Sequence, residues 1–168
     1  YAETVSLLTL LRDRLDALGF PGLQISLGDT PMASAVTDLH GVDEMRPGNF
    51  IFYDWMQHAF GSCREEEIAV AVAAPVVANY PDRREVILYS GAVHLGKEMM
   101  VRAGGAPDYG HIAPLAESGW GRAYEDIWLR SLSQEHGIIS ATPEAYARDL
   151  ATLKPGDLVA VLPIHSCL

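Results

Sequence analysis

The sequence predicts an α/β unit followed by a mainly antiparallel β domain. The first 31 residues run in the order helix, strand and glycine-containing turn, which is the alternation typical of α/β proteins. After about residue 45, β-branched and aromatic runs are separated by Pro, Gly, Asn and Asp. The 15 glycines and 10 prolines among 168 residues indicate many turns, and therefore short strands rather than a helical bundle.

The first unit is predicted from apolar spacing. Apolar residues recur at steps of three and four, which places them on one stripe of a helix that Gly19 closes: Val5, Leu8, Leu11, Leu15 and Leu18. Residues 23–27 then form a short apolar segment, which we interpret as a strand that runs into the turn Gly28-Asp29-Thr30-Pro31. We place the domain boundary near residue 45, so that the domains are 1–44 and 45–168.

The second domain is predicted from its β-rich runs. Residues 50–55, 68–77, 85–89 and 158–164 are read as strands, and residues 104–121 as a loop because they are rich in Gly and Pro. Residues 123–132 are interpreted as a short helical stretch. Thr142 and Pro143 resemble the N-cap and first position of a further helix.

Composition excludes several classes of partner. The formal net charge of −10, with no basic run to interrupt it, argues against nucleic acid. No stretch approaches the roughly eighteen apolar residues of a membrane span. Cys63 and Cys167 do not resemble a secreted disulfide framework, so we expect a soluble protein in the reducing cytoplasm.

Two patterns carry chemistry. His165 and Cys167 follow an apolar run and are two positions apart, which on a strand would put an imidazole and a thiol on one face, half of a zinc-like site. The turn at residues 28–31 offers backbone N–H groups and a hydroxyl that could hold a phosphate. Each pattern has a structural alternative: packed strand residues in the first case, and turn conformation in the second. The isolated histidines His94, His111 and His136 are more often structural than ligands.

Five blocks of the chain together resemble a known family. They are residues 26–31, residues 44–50 with Tyr53 and Asp54, residues 91–95, residues 133–137 and residues 163–168. In this order they resemble the D-serine dehydratase and D-threonine aldolase family of pyridoxal-phosphate enzymes, relatives of alanine racemase. The resemblance implies an α/β barrel that carries the cofactor, a C-terminal β domain and a head-to-tail homodimer. Residues 1–44 would then be the last part of the barrel.

The resemblance also implies site residues. Cofactor contacts fall on Gly28, Thr30, Gly48, Asn49 and Tyr53. The metal pair, usually zinc in the dehydratases, falls on His165 and Cys167. The Schiff-base lysine of the family lies upstream of anything present here, and neither Lys97 nor Lys154 matches it. No catalytic residue is therefore assigned within this chain, which we expect to be the C-terminal part of a longer enzyme.

The implied reaction is elimination of water from a 3-hydroxy D-amino acid, giving a keto acid and ammonia. Retro-aldol cleavage of such an amino acid is the alternative within the family. A different class of function, a non-catalytic dimerisation or binding module, is open as well. In that case His165 and Cys167 are packed strand residues.

Overall fold

A computed structural model describes residues 1–167. The predicted first unit is confirmed as helix α1 (Ala2–Ala17), strand β1 (Ser26–Gly28), helix α2 (Thr30–Ala35) and strand β2 (Glu44–Arg46). Strands β1 and β2 pair in parallel, as in an α/β unit. No residue of α1 is buried. Several of its apolar side chains face solvent, including Leu7, Leu10 and Leu11.

Helix α3 (Trp55–Ala59) connects this unit to a closed antiparallel barrel. Along the chain, residues 89–109 contain helix α4 (Ala92–Leu95) and the short strands β5 (Met100–Val101) and β6 (Pro107–Asp108), which are not part of the barrel. The barrel is built from six strands: β3 (Val72–Tyr80), β4 (Glu85–Leu88), β7 (Gly110–Ala113), β8 (Ile127–Leu132), β9 (Gly137–Ala141) and β10 (Leu158–Pro163). They pair in the order β10-β3-β4-β9-β8-β7. The predicted mainly antiparallel β domain is confirmed.

The core fills this barrel. Its fully buried aliphatic side chains come from every side of the cylinder and include Val86, Leu88, Ile112, Ile127, Leu129, Ile139 and Val161. Helix α5 (Pro143–Ala145) continues as one π-helical turn (Tyr146–Leu150) and adds Leu150 to the core. Its predicted start is confirmed, because the Thr142 hydroxyl accepts a hydrogen bond of 3.2 Å from the Ala145 N–H.

Residues 50–55 are not a strand, contrary to the prediction. They form a turn that leads into α3, with Tyr53 at a φ of 49°. The side chain of Asp54 caps α3. The aromatic run is misleading because Phe50, Ile51 and Phe52 are exposed rather than paired in a sheet.

Two further predictions in the barrel are wrong. Residues 104–121 are not simply a loop, because they contain β6 and β7. Gly110 serves a close approach there, since a Cβ on it would lie 3.0 Å from the Leu162 carbonyl oxygen of β10. Residues 123–132 are not helical, because β8 occupies Ile127–Leu132. Ile127 and Leu129 are buried at the period of two that belongs to a strand.

The predicted domain boundary between residues 44 and 45 falls within strand β2 (Glu44–Arg46) and stays a prediction. Strand β2 ends at Arg46, and the first barrel strand begins at Val72. Within residues 1–167, no helix combines the length and the apolar character that crossing a bilayer requires.

Candidate active site

The end of strand β10 brings the predicted metal pair next to α3. Strand β10 is paired on both sides, with β3 and with β7, so its end is held firmly. The Met56 N–H of α3 donates a 3.1 Å hydrogen bond to the Ile164 carbonyl just beyond β10. Because β10 ends at Pro163, His165 and Cys167 lie in the irregular segment that follows it, not on the strand itself. The strand-face argument for their pairing is wrong, and His165 is held instead by Asp54, the N-cap residue of α3.

Asp54 is a fully buried carboxylate at the centre of this arrangement, with 0% of its surface exposed. Its Oδ1 accepts a 2.8 Å hydrogen bond from the Gln57 N–H and so caps α3. Its Oδ2 faces the Ser166 N–H and the His165 Nδ1, each at 2.9 Å. The Asn49 side-chain amide donates to the same oxygen. A buried charge is stable only when it is bonded in this way.

Asn49 joins this carboxylate to the turn that was predicted to bind phosphate. The Asn49 N–H donates to the Thr30 hydroxyl oxygen at 3.0 Å. The Asn49 side-chain oxygen accepts from the Ser166 hydroxyl. Thr30 and Asn49 are each only 5% exposed. Because both polar atoms of the Asn49 side chain already have partners, its contribution at this turn is to hold Thr30 in place.

The remaining predicted cofactor residues surround this turn. The Tyr53 and Ser34 hydroxyls are 3.1 Å apart. Gly28 is exposed at the end of β1, where a Cβ would lie 3.2 Å from the Arg46 carbonyl, and a Cβ on Gly48 would meet nothing. Within residues 1–167, two of the three non-glycine residues with positive φ lie here, Asp29 at 115° and Tyr53 at 49°. Such backbone strain concentrates at functional sites.

The bonding of Asp54 determines which nitrogen of His165 is available. Three other groups that donate to Asp54 are N–H donors, so the carboxylate acts as an acceptor throughout. His165 Nδ1 therefore donates its proton, which leaves the Nε2 lone pair free in the neutral ring. A carboxylate bonded to the far nitrogen is the usual second partner of a metal-binding histidine.

The Cys167 thiol is exposed and unbonded to Cys63. Within the described residues, no group of three or more His, Cys, Asp and Glu side chains could hold a metal. The His165 and Cys167 pair therefore has the donor types of a zinc site but supplies two of the three protein ligands that are usual in a catalytic zinc site.

Cys63, by contrast, has no features of a nucleophile. It is buried in a small cluster with Ile68 and Leu162. Burial raises the pKa of the Cys63 thiol to about 11, and the charges of Glu67 and Asp54 contribute to the same shift. A thiol with so high a pKa is protonated and inert at neutral pH.

The third and fourth family blocks pack against each other. A Cβ on Gly91 would lie 2.5 Å from backbone atoms of residues 134–136. The Ala92 N–H donates to the Ser133 carbonyl at 2.9 Å. His94 and His136 both make edge contacts with the Tyr89 ring, which agrees with a structural role for these histidines.

His111 is also packed, although one of its nitrogens has no partner. Its ring stacks on Trp55 with centroids 3.7 Å apart, and Nε2 lies 3.0 Å from the Asp108 carboxylate. Its Nδ1 is buried and finds no partner within residues 1–167. Two cavities of about 260 Å³ each are lined by both Trp55 and His111.

Sequence reasoning missed Asp54 and Ser166 as site residues. The available signal for Asp54 was its position three residues before Gln57, the spacing of a helix N-cap motif. For Ser166, no local signal exists, because its partners Asn49 and Asp54 are more than a hundred residues away in the chain.

Comparison with protein families decides the assignment. Residues 69–168, more than half of the chain, match the family described as "Putative serine dehydratase domain". The chain belongs to the serine dehydratase domain family. The resemblance read from the five blocks is thereby confirmed.

Two curated relatives of this chain, which contains a serine dehydratase domain, are dehydratases. A D-serine dehydratase of Dictyostelium discoideum is 33% identical over 162 residues, which cover 92% of this chain and 39% of that protein. A D-threo-3-hydroxyaspartate dehydratase of Delftia sp. (strain HT23) is 32% identical over 157 residues, which cover 92% of this chain and 40% of that protein. The chain thus spans about two fifths of the length of the relatives it matches.

Solved structures agree with the fold. An alanine racemase-like protein of Idiomarina loihiensis superposes with a TM-score of 0.76 at 25% identity, covering 93% of this chain and 40% of the other. The Delftia dehydratase superposes with a TM-score of 0.76 at 30% identity, covering 92% of this chain and 40% of that one. It has also been solved as a cysteine-to-alanine mutant in the metal-free form, and as a histidine-to-alanine mutant two positions away.

Proposed function

We propose that this chain is the C-terminal part of a pyridoxal-phosphate- and metal-dependent lyase that eliminates water from a 3-hydroxy D-amino acid. The products are a keto acid and ammonia, as in a D-serine dehydratase. The observation that carries the proposal is the hydrogen-bonded sequence Thr30, Asn49, Asp54 and His165, which connects the candidate phosphate turn to the candidate metal ligand. The named activities of the relatives, both dehydratases, support the same reaction class.

The metal, which we propose to be zinc, would be held by His165 Nε2 and the Cys167 thiolate. The donor set fits, because the Asp54 carboxylate fixes the proton on Nδ1 and the exposed thiol has no other partner among the described residues. When bound, zinc supplies a Lewis acid for charge on the departing hydroxyl oxygen. The Delftia mutants support the pair, since the cysteine and the histidine replaced there have the same spacing.

The cofactor phosphate would be held at the turn around Thr30. The Thr30 hydroxyl accepts from Asn49, which leaves its own proton free to donate to a phosphate oxygen. Gly28, Gly48 and the Tyr53 phenol are the further proposed contacts, and Asn49 would contribute by holding Thr30 through its backbone N–H. When bound, pyridoxal phosphate supplies an electron sink for the α-carbon. The lysine that holds the cofactor belongs, in this proposal, to the rest of the protein.

The full-length protein is proposed to act as a homodimer in the cytoplasm, with a small D-amino acid as its substrate. Two residues of this chain would hold the metal next to the substrate's β-hydroxyl. No side chain of this chain is proposed to transfer a proton, because the lysine in the rest of the protein would remove the α-proton.

The test is to incubate the full-length protein with D-serine and with D-threonine. Pyruvate and ammonia from D-serine are the expected products. Glycine and acetaldehyde from D-threonine would instead indicate retro-aldol cleavage, and the absence of all four products would indicate a non-catalytic module. His165→Ala is expected to lose both bound zinc and turnover. His40→Ala is the matched control, because His40 is exposed and its imidazole forms no hydrogen bond in residues 1–167.

A further inference from the structure

We propose that Asp54 is a positioning residue that couples the metal pair to the phosphate turn, so that zinc and the cofactor each strengthen the binding of the other. This inference rests on the proposed function. It concerns Asp54, Asn49 and Ser166, which lie between the candidate ligands rather than among them.

The two oxygens of Asp54 bond to different groups. Oδ1 caps helix α3 through the Gln57 N–H. Oδ2 is not needed for the cap, yet it faces His165, Ser166 and the Asn49 amide. A capping aspartate would need only one of these contacts. The other three point to a second role, which is to orient the groups at the end of β10.

Asp54 also determines the tautomer of His165. With Oδ2 as acceptor, His165 holds its proton on Nδ1 and presents Nε2 as a ligand. An asparagine at position 54 could still cap α3 through its side-chain oxygen. Its NH2 group would then replace Oδ2 and face the groups that donate to that oxygen. His165 would have to accept at Nδ1 and carry its proton on Nε2, which blocks that nitrogen as a ligand. The charge of Asp54 is thus less important here than its role as an acceptor.

Hydrogen bonds through Asn49 connect Asp54 to the phosphate turn. Asp54 and Ser166 both bond to the Asn49 side chain, and the Asn49 N–H holds the Thr30 hydroxyl. Thr30, Asn49 and Asp54 are each at most 5% exposed, so water does not compete for these bonds. Ordering either end of the network orders the other, and such coupling between two binding sites is reciprocal.

The experiment measures zinc affinity of the full-length protein by competition with a chelator. Asp54→Asn is expected to weaken zinc binding about 10- to 100-fold, the usual effect of removing such a partner. In the wild type, removal of the cofactor is expected to weaken zinc binding about fivefold or more. Asp108→Asn is the matched control, because Asp108 is also buried and also bonds a histidine, His111, but does not contact His165. Its zinc affinity is expected to equal that of the wild type.

The spectrum of the Co²⁺-substituted protein gives a readout that a purely structural role would not alter. Asp54→Asn is expected to lose or shift the d–d bands of the metal, while Asp108→Asn keeps them. Ser166→Ala removes one route to Asn49 but keeps the backbone N–H that bonds Asp54. It should bind zinc with near wild-type affinity in the cofactor-free form, and should lose only part of the effect of the cofactor, because the Asn49 amide still donates directly to Asp54. It also keeps the inference testable if Asp54→Asn does not fold.

The outcomes separate this inference from the proposed function. A wild-type protein that binds zinc and eliminates water, with Asp54→Asn equal to it in zinc affinity, overturns the inference and leaves the proposed function standing. Zinc affinity in the wild type that is independent of the cofactor overturns the coupling. A wild-type protein that binds no zinc overturns the proposed function, and with it the inference.

Discussion

Replacement of Asn49 by alanine tests the network most directly. The change removes the amide that donates to the buried Asp54 carboxylate, and the oxygen that accepts from Ser166. A hydrogen bond to a charged group contributes about 1.5 to 3 kcal/mol, and an ordinary one about 1 kcal/mol. We therefore expect Asn49→Ala to lower the free energy of unfolding by about 2.5 to 4 kcal/mol. For a cooperative unit of about 150 residues, each kcal/mol corresponds to about 2 to 4 °C in Tm.

The assay is thermal unfolding of the full-length protein in the cofactor-free and metal-free form, so that ligand binding does not contribute. Gln24→Ala is the control, because Gln24 is exposed and its side chain has no bonded partner in residues 1–167. Asn49→Asp should be worse than Asn49→Ala at pH 7, because it sets a second carboxylate against Asp54, and its deficit should shrink in acid. A Tm for Asn49→Ala within about 2 °C of the wild type would refute the energetic importance of the network.

Three further predictions concern stability. Because the Cys63 pKa is raised from 9.0 to about 11, the unfolded thiol ionises first as pH rises. The contribution of Cys63 is therefore complete below pH 9 and is lost between about pH 9 and 11, with a maximum of about 3 kcal/mol. Urea unfolding at pH 8 and 10.5 should show this loss in the wild type and not in Cys63→Ala, and equal losses would contradict it. Gly91→Ala should cost about 2 kcal/mol or more, since backbone lies 2.5 Å from the new Cβ, whereas Gly48→Ala at an open position should be neutral in the same melting assay. Thr142→Ala should cost about 1 kcal/mol through the lost helix cap, and Thr142→Ser should restore it; identical melting curves for the two variants would count against the cap.

Local patterns predicted the elements whose causes are local. The stripe of α1, the Thr142 cap and the apolar run of β10 each depend on residues within a few positions of one another. Strand β7 depends instead on the closure of the barrel, because its partners β8 and β10 come later in the chain. Its Gly and Pro neighbours resemble a loop until the facing strands are known.

The candidate site divides in the same way. His165, Cys167 and Thr30 could be chosen as candidates from the sequence because their residue types and neighbours carry a signal, and their roles stay predictions. Asp54 could not be predicted as a site residue from spacing alone, because its partners at His165 and Ser166 are 111 and 112 positions away. The local motif at Asp54 predicts a helix cap, which is only half of what its carboxylate does.

Closure of the barrel has a consequence for the order of assembly. Strand β10 bonds to β3, some eighty residues earlier, and it seals the cylinder by pairing with β7 on its other side. During synthesis, β3 and β7 must wait with open edges until residues 158–163 leave the ribosome. His165 reaches Asp54 only after that strand has docked, so in a chain with an unfinished barrel the proposed metal ligand is not yet oriented. Formation of the candidate site is thereby conditional on completion of the fold.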